Sequence, residues 1–226
     1  MAWTCTGKTN LELVENLRRM SIISSQRVFD AMKAIDRKDY CSRYPYEDAP
    51  QSIGYGATIS APHMHGYALE KLQDYLQPGM RVLDVGSGSG YLTACMASMV
   101  GPEGKAVGIE HISELVTLSE RNVRKQHADW LESGRIKFVV GDGRLGYAED
   151  GPYDCIHVGA ASDKRPTELL KQLKAPGRLF VPVGVSQQHI IIYDKQEDGS
   201  IKEDKWLGVM YVPLTDEVDQ RGGWSF

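Results

Sequence analysis

Residues 82–93 read VLDVGSGSGYLT, and this stretch decides the fold. The apolar segment Val82 to Val85 has the length and composition of a buried strand, and it runs into alternating glycines before a helical pattern starts. Glycine lets the backbone turn tightly and lets a ligand approach it closely. The stretch therefore predicts a strand, a turn and a helix, with a small molecule bound against Gly86 and Gly88.

Short apolar strands alternate with helical patterns after this unit. Numbered in chain order, the predicted strands are Arg81–Val85, Ala106–Glu110, Ile136–Val140, Cys155–Val158, Arg178–Val183, His189–Tyr193 and Trp206–Val212. The alternation is typical of a doubly wound α/β fold, in which helices cover both faces of a mostly parallel sheet. Residues 184–188 are too few for a crossover helix, so the sixth strand is expected to run antiparallel. We predict the order 3-2-1-4-5-6-7.

Further helices precede the sheet. Thr9 and Glu12 form a capping box before the first, and a second begins near Ser25. Residues 44–60 have the Pro and Gly content of a loop, and Ser60 is expected to be the N-cap of a third helix.

The length of 226 residues suits one domain with additions at its ends. We expect residues 1–60 to form N-terminal helices and an active-site loop. Residues 61–183 would form a cofactor-binding core, and residues 184–226 C-terminal strands and a tail.

Composition argues against several classes of protein. The net charge is −4, whereas a protein that grips nucleic acid usually shows a basic surface. No apolar run approaches the about 20 residues that span a bilayer. The four cysteines include no CxxC pair, and a reducing, cytoplasmic location fits them. No long apolar surface stripe is left unexplained, so a monomer is expected.

The glycine turn discriminates between two kinds of nucleotide cofactor. A dinucleotide fingerprint reads GxGxxG, but here Tyr91 stands where its third glycine belongs. Asp84, two residues before Gly86, would repel a pyrophosphate and would suit the ammonium of a methionine moiety. The stretch therefore favours S-adenosyl-L-methionine (AdoMet), with S-adenosyl-L-homocysteine as the product, on a Rossmann-like class I methyltransferase sheet.

Two more acidic residues follow neighbouring strands of the predicted sheet. Glu110 ends the second strand and can accept hydrogen bonds from ribose hydroxyls, or it can be a charge at a helix N-terminus. Asp142 and Gly143 follow the third strand and can bind adenine, or they can form an Asx turn. Asp84, Glu110 and Asp142 all lie at carboxyl ends of strands, where ligands bind in open α/β sheets.

Histidines offer weaker signals. His63 and His65 lie two residues apart early in a helix, so they point in different directions, and no metal site is predicted. His65 is expected to line the cofactor pocket, and His157 to be structural or to lie at the pocket floor. The small residues 159–161 either leave room for a peptide backbone or allow close helix packing.

At this point the sequence resembles a known family. The segments QSIGYGATISAPHMH (51–65), LDVGSGSG (83–90), VGDG (140–143), DCIHVGAA (154–161), residues 179–184 and YVPLTD (211–216) closely resemble the protein-L-isoaspartate (D-aspartate) O-methyltransferases. The likeness extends over nearly the whole chain.

The resemblance implies methyl transfer from AdoMet to the carboxylate of L-isoaspartyl and D-aspartyl residues in damaged proteins and peptides, with repair through a succinimide. It implies that Ser60 is the active-site residue. It also implies that the cofactor segments include Ala57, Thr58, Ile59, Ser60, His65, Asp84, Glu110, Asp142, Gly143, Thr215 and Gln220.

This chemistry makes few demands on side chains. A carboxylate with a pKa of about 4 is ionised at pH 7 and needs no general base. Positioning can supply roughly 7–11 kcal/mol for aligned reactants, and Ser60 can orient the carboxylate by a hydrogen bond. The alternatives are a methyltransferase for another small-molecule or protein carboxylate, a nucleic-acid methyltransferase without its usual motifs, and a silent AdoMet-binding scaffold.

Overall fold

A computed structural model of the chain describes residues 5–222, so residues 1–4 and 223–226 of the predicted terminal segments lie outside it. The strands are β1 (Gln51–Gly54), β2 (Ala57–Ile59), β3 (Arg81–Val85), β4 (Lys105–Glu110), β5 (Ile136–Val140), β6 (Tyr153–Val158), β7 (Leu173–Val183), β8 (Gln188–Lys195) and β9 (Ile201–Val209). The helices are α1 (Asn10–Arg19), α2 (Gln26–Ala34), α3 (Pro62–Leu72), α4 (Tyr91–Val100), α5 (Ser113–Glu132), α6 (Thr167–Gln172) and α7 (Glu217–Arg221).

Strands β3 to β9 form one seven-stranded sheet in the order β5-β4-β3-β6-β7-β8-β9. This is the predicted order 3-2-1-4-5-6-7, which is confirmed. Strands β5, β4, β3, β6 and β7 are parallel, whereas β8 turns back antiparallel beside β7 and β9 is antiparallel to β8. The carboxyl ends of β5, β4, β3 and β6 therefore meet at one edge of the sheet.

Two apolar cores cover the two faces of the sheet. In β3, Val82 belongs to the core shared with helices α1 to α5, while Leu83 and Val85 belong to the core shared with α6. The alternation follows from the two-residue period of a strand. Layers on both faces confirm the predicted doubly wound α/β architecture. Among the helices of residues 5–222, none has both the length and the apolar content to cross a membrane.

Residues 44–60 differ from the predicted loop, because β1 and β2 pair within them as an antiparallel hairpin. Gly54 and Gly56 adopt positive φ at its turn, at +92° and +69°, which only glycine adopts without strain. The hairpin packs over the turn between β3 and α4, where the side chain of Ile53 lies beside Gly88. The hairpin therefore covers the glycine turn.

The predicted N-cap role of Ser60 is wrong. The N-cap of α3 is Ala61, whose carbonyl accepts hydrogen bonds from the backbone N–H groups of Met64 and His65. Pro62 occupies the first helical position, where its fixed φ suits a helix start. Ser60 lies one residue outside the helix, so its hydroxyl is free of any capping role.

Candidate functional site

A cleft lies at the sheet edge where β5, β4, β3 and β6 end. About 560 Å³ of empty space lies within its bounds, open solvent included. Its lining residues come from the hairpin, from the ends of four strands and from the C-terminal segment: Ala57, Thr58, Gly86, Gly88, Ile109, Glu110, His111, Asp142, Gly143, Gly159, Ala160, Val212, Pro213, Leu214, Thr215 and Gln220. Nine of the residues that the sequence analysis singled out for the cofactor are in this set.

The glycine turn forms the floor of the cleft. Gly86 and Gly88 both adopt positive φ, at +74° and +54°. The backbone N–H of Gly86 donates to the carbonyl of Ile109 at 2.9 Å, which joins the turn to β4. Across the cleft floor, a Cβ on Gly159 would lie 3.1 Å from the carbonyl oxygen of Gly86. Gly159 therefore allows close approach of two strand ends, rather than the helix packing considered above.

Glu110 lies at the end of β4 with its carboxylate buried against the glycine turn. One oxygen accepts from the N–H of Gly88 at 3.2 Å, and the other accepts from the N–H of Ile112 at 3.1 Å. Ile112 immediately precedes α5, so Glu110 also satisfies a helix start, as its alternative interpretation required. Burial raises the pKa of Glu110 above its ordinary value. Each oxygen keeps a further lone pair that can accept a ligand hydroxyl.

Asp142 follows β5 and accepts from the backbone N–H of Arg144 at 2.9 Å, which is the Asx turn considered above. Its carboxylate also holds the Arg144 guanidinium, which lowers the pKa of Asp142. Gly143 opens the short 3-10 turn Gly143–Leu145, so its N–H has no acceptor within that turn. A carboxylate acceptor and a backbone donor thus stand side by side on the cleft wall.

Asp84 belongs to β3, next to the glycine turn, and is not among the residues that line the cleft. Its carboxylate is 2% exposed and both oxygens are used: one accepts from His157 Nδ1 at 2.8 Å and the other from Thr93 Oγ1 at 2.5 Å. Strand pairing sets Asp84 directly beside His157. The structure therefore gives His157 a defined place below the pocket, as the partner of Asp84.

Ile59, Ser60 and His65 are also absent from the lining. Ile59 is buried in the larger core, and His65 Nδ1 accepts from Arg37 at 3.3 Å. Burial and the adjacent guanidinium hold the pKa of His65 well below its ordinary value, so the ring is neutral. The side chain of Ser60 lies near that of Tyr211. His63 turns instead to Asp48, at 2.8 Å, so the two histidines do point apart.

The C-terminal segment closes one side of the cleft. Gln220 donates to the carbonyl of Tyr55 in the hairpin turn at 3.1 Å, and Arg221 pairs with Glu114 of α5 at 2.6 Å. Asp216 is hydrogen-bonded to Arg144. Thr215 and Gln220 both line the cleft, and Thr215 Oγ1 lies 3.5 Å from Asp219. Hydrogen bonds and an ion pair thus connect the C-terminal segment to the hairpin, to α5 and to the turn that follows β5.

The lining fits AdoMet better than a phosphate-rich cofactor. Glu110 and Asp142 bring two carboxylates, Ile109 and Leu214 bring apolar walls, and the lining contains no lysine or arginine. A cationic sulfonium is attracted to such a site, whereas a pyrophosphate would be repelled. Within residues 5–222, no cluster of His, Cys, Asp and Glu has the composition of a metal site.

Some lining residues were missed by the sequence analysis. Ile109 and His111 flank Glu110, so their places follow once the strand end is known. Val212 to Leu214 reach the cleft because Ala161 pairs with them through its N–H to the Val212 carbonyl and its carbonyl to the Leu214 N–H, both at 2.8 Å. That pairing joins positions far apart in the sequence, and no local pattern predicts it.

Comparisons with known proteins agree with this site. A profile of the family described as protein-L-isoaspartate(D-aspartate) O-methyltransferase (PCMT) matches residues 8–219. Two similar relatives are named protein-L-isoaspartate O-methyltransferase. The one from Caenorhabditis elegans is 52% identical over 221 residues, 97% of this chain and 98% of the relative. The one from Triticum aestivum is 52% identical over 214 residues, 93% of each.

A solved structure extends the agreement to the cofactor. It is described as a protein-L-isoaspartate O-methyltransferase of Plasmodium falciparum in complex with S-adenosyl-L-homocysteine. It is 34% identical, with a TM-score of 0.87 over 92% of this chain and 99% of that one. The family profile spans all seven strands of the sheet, and the chain therefore belongs to the protein-L-isoaspartate(D-aspartate) O-methyltransferase family.

Proposed function

We propose that the cleft binds AdoMet along the strand ends and presents its methyl group to a carboxylate beside Ser60. As a member of its family, the chain is an AdoMet-dependent enzyme that methylates isoaspartyl residues of proteins and peptides. The roles of individual residues rest on their places in the cleft. The observation that carries them is the lining itself, which brings Glu110, Asp142 and the glycine turn to one edge of the sheet.

In this proposal each segment holds one part of the donor. Glu110 accepts from the ribose hydroxyls, while Asp142 and the N–H of Gly143 bind the adenine edge. Gly86 and Gly88 let the backbone approach the methionine part, and Asp84 supplies negative charge from below rather than by contact. Ala57, Thr58, Thr215 and Gln220 close the cleft from the hairpin and the tail.

The reaction needs placement more than proton transfer. When bound, AdoMet supplies a methyl group on a sulfonium; a carboxylate oxygen bonds to that carbon as the carbon–sulfur bond breaks and its electron pair stays on sulfur. The isoaspartyl carboxylate is ionised at pH 7, so no residue has to act as a base. The Ser60 hydroxyl, free of the helix cap, can donate to this carboxylate and hold it in line.

Two peptides that differ only in an isoaspartyl or an aspartyl residue test this proposal. Labelled AdoMet should give a base-labile methyl ester on the isoaspartyl peptide, and a weaker or no signal on its twin. A D-aspartyl peptide extends the test to the second substrate of the family. Equal labelling of the aspartyl peptide would point to a general carboxyl methyltransferase instead.

A Ser60→Ala variant tests the orienting role. We expect kcat for the isoaspartyl peptide to fall about tenfold or more, because one oriented hydrogen bond is lost. The affinity for AdoMet should be unchanged, since Ser60 does not line the donor cleft. A variant with full turnover would remove Ser60 from the mechanism.

We also propose that the enzyme acts in the cytoplasm as a monomer. All four cysteines are buried thiols, and burial raises the pKa of Cys95 to about 12, which suits a reducing compartment. Sedimentation of the purified enzyme at micromolar concentration should give the mass of a single chain. A concentration-dependent dimer would contradict the monomer.

A further inference from the structure

Arg37 lies outside the cleft lining but contacts the residues that carry Ser60. It begins the 3-10 turn Arg37–Asp39 after α2, and its side chain is 0% exposed. Its Nη2 donates to the backbone carbonyl of Ser60 at 2.9 Å, and its Nη1 donates to His65 Nδ1 at 3.3 Å. The guanidinium carbon also lies 5.5 Å from the ring centre of Tyr91.

The charge of this guanidinium is only partly compensated, by the carboxylate of Asp48 acting without direct contact. No ion pair that the structure describes includes Arg37, and its Nε has no hydrogen-bond partner within residues 5–222. The buried carboxylate of Asp48 is held by His63, and that of Asp84 by His157. Burying a cation without an ion-pair partner costs free energy. If the side chain at position 37 only filled space, an apolar residue would therefore stabilise the fold more. A further anion near this loop would be stabilised by the Arg37 charge.

The place of Arg37 indicates which anion. Its shortest hydrogen bond is to the carbonyl of Ser60, whose side chain lies near Tyr211. The backbone of Ser60 is thus held from the N-terminal layer, and its side chain lies near the C-terminal segment. In a buried environment of low dielectric, the Arg37 charge acts strongly on a carboxylate brought to this loop.

We propose that Arg37 is a positioning residue for methyl transfer, which fixes Ser60 through its backbone carbonyl and gives the loop the positive charge that attracts the substrate carboxylate. The inference rests on the proposed role of Ser60. It adds a residue that neither the donor cleft nor the glycine turn contains. The electrostatic part concerns substrate binding, and the hydrogen bond concerns the orientation of Ser60.

Three variants of Arg37 separate the effect of its charge from the effect of its hydrogen bond to Ser60. Arg27→Met is a matched control. Arg27 also holds backbone carbonyls, those of Gln73, Leu76 and Met99, from the same N-terminal layer, but away from Ser60. Arg37→Met removes charge and donors, Arg37→Gln retains a neutral donor, and Arg37→Lys retains the charge. Each is assayed with an isoaspartyl peptide, and S-adenosyl-L-homocysteine binding by calorimetry verifies the fold.

For Arg37→Met we expect the peptide KM to rise about tenfold and kcat to fall, with S-adenosyl-L-homocysteine binding unchanged. Arg37→Lys should bring the peptide KM back to within about threefold of the wild type while kcat stays lowered, because the charge alone is restored. If Arg37→Met does not fold, the contrast between Arg37→Lys and Arg37→Gln carries the test. The proposal would be overturned if Arg37→Lys raised the peptide KM as much as Arg37→Gln does. It would also be overturned if Arg27→Met had the same effect as Arg37→Met.

A double variant separates this inference from the proposed function. If Arg37 acts through Ser60, adding Ser60→Ala to Arg37→Met should lower kcat by less than the product of the two single effects. If the loss of kcat in the double variant equals the product of the two single losses, Arg37 acts independently of Ser60, and its positioning role is overturned. Failure of the wild type to methylate the isoaspartyl peptide would instead contradict the proposed function.

Discussion

His111 Nε2 donates to Gln220 Oε1 across 2.7 Å, and this bond joins two residues that are 109 positions apart in the chain. His111 follows the end of β4, next to the proposed ribose ligand, whereas Gln220 belongs to the terminal helix α7. Because Gln220 also reaches the hairpin turn at Tyr55, one side chain connects three separate segments around the cleft.

Replacing Gln220 with alanine should loosen the tail and weaken donor binding. Two hydrogen bonds of roughly 0.5–1.5 kcal/mol each are lost, so the Kd for AdoMet should rise about fivefold to tenfold. Calorimetry measures the change. Gln196→Ala is the control, because the Gln196 side chain donates to the carbonyl of Asp194 on β8 and does not line the cleft, so the Kd should stay as in the wild type. An unchanged Kd in Gln220→Ala would mean that the tail does not restrain the donor.

The two glycines of the hairpin give a matched pair. Gly54 and Gly56 both have positive φ, so alanine at either position should lower the free energy of unfolding by about 1–2 kcal/mol. Only at Gly56 would the new Cβ meet the tail, 2.8 Å from the carbonyl oxygen of Gln220; at Gly54 it meets nothing within 4 Å. Gly56→Ala should therefore weaken AdoMet binding as well, and Gly54→Ala should not.

Urea unfolding and calorimetry on the two hairpin variants measure these effects separately. Equal donor affinities in Gly54→Ala and Gly56→Ala would show that the tail can move away from the hairpin without loss.

The donor affinity should depend on pH through Glu110. Burial raises the pKa of this carboxyl above the ordinary 4.5, and a ribose hydroxyl is bound best by the ionised form. The affinity for AdoMet is therefore highest at pH values above the raised pKa. It falls as the pH drops through that pKa, and this fall begins at a pH higher than 4.5. Calorimetric titration of AdoMet between about pH 5 and pH 8 follows the change.

Glu110→Gln is the matched variant for that titration. It keeps the size of the side chain but loses the charge, so AdoMet should bind about tenfold more weakly at pH 7. It should also lose the pH dependence. The same slope in wild type and variant would assign the titration to another group.

Thr93 should matter for stability through the buried Asp84 carboxylate. Thr93→Val keeps the shape but removes the hydroxyl donor, which leaves Asp84 with His157 as its remaining side-chain partner. Loss of a hydrogen bond to a buried charge should lower the free energy of unfolding by about 2 kcal/mol, as measured by urea denaturation. Thr117→Val, on the exposed face of α5, is the control and should change it by less than about 0.5 kcal/mol.

Much of the fold was predictable because its signals are local. The predicted bounds of Arg81–Val85 and Ile136–Val140 are those of β3 and β5. The sheet order follows from connection lengths, since a short link between β7 and β8 cannot hold a crossover helix. The Ser60 cap was an avoidable error, because a proline at the first helical position already places the cap at Ala61.

The site was predictable only where a residue belongs to a strand end. Glu110, Asp142 and Gly143 line the cleft as the strand order requires. The pairing of Asp84 with His157 also follows from neighbouring strands, although the isolated motif suggests a direct ligand contact. Arg37 could not be recognised, since Arg37-Lys38-Asp39 has the composition of a solvated turn and only tertiary packing buries it.

The hairpin of residues 51–59 and residues 212–220 together cover the cleft, although all seven strands of the sheet lie between them in the chain. The last part of the donor site therefore follows the whole sheet in the chain. Shortening the chain before Thr215 should leave a folded sheet with an open donor site.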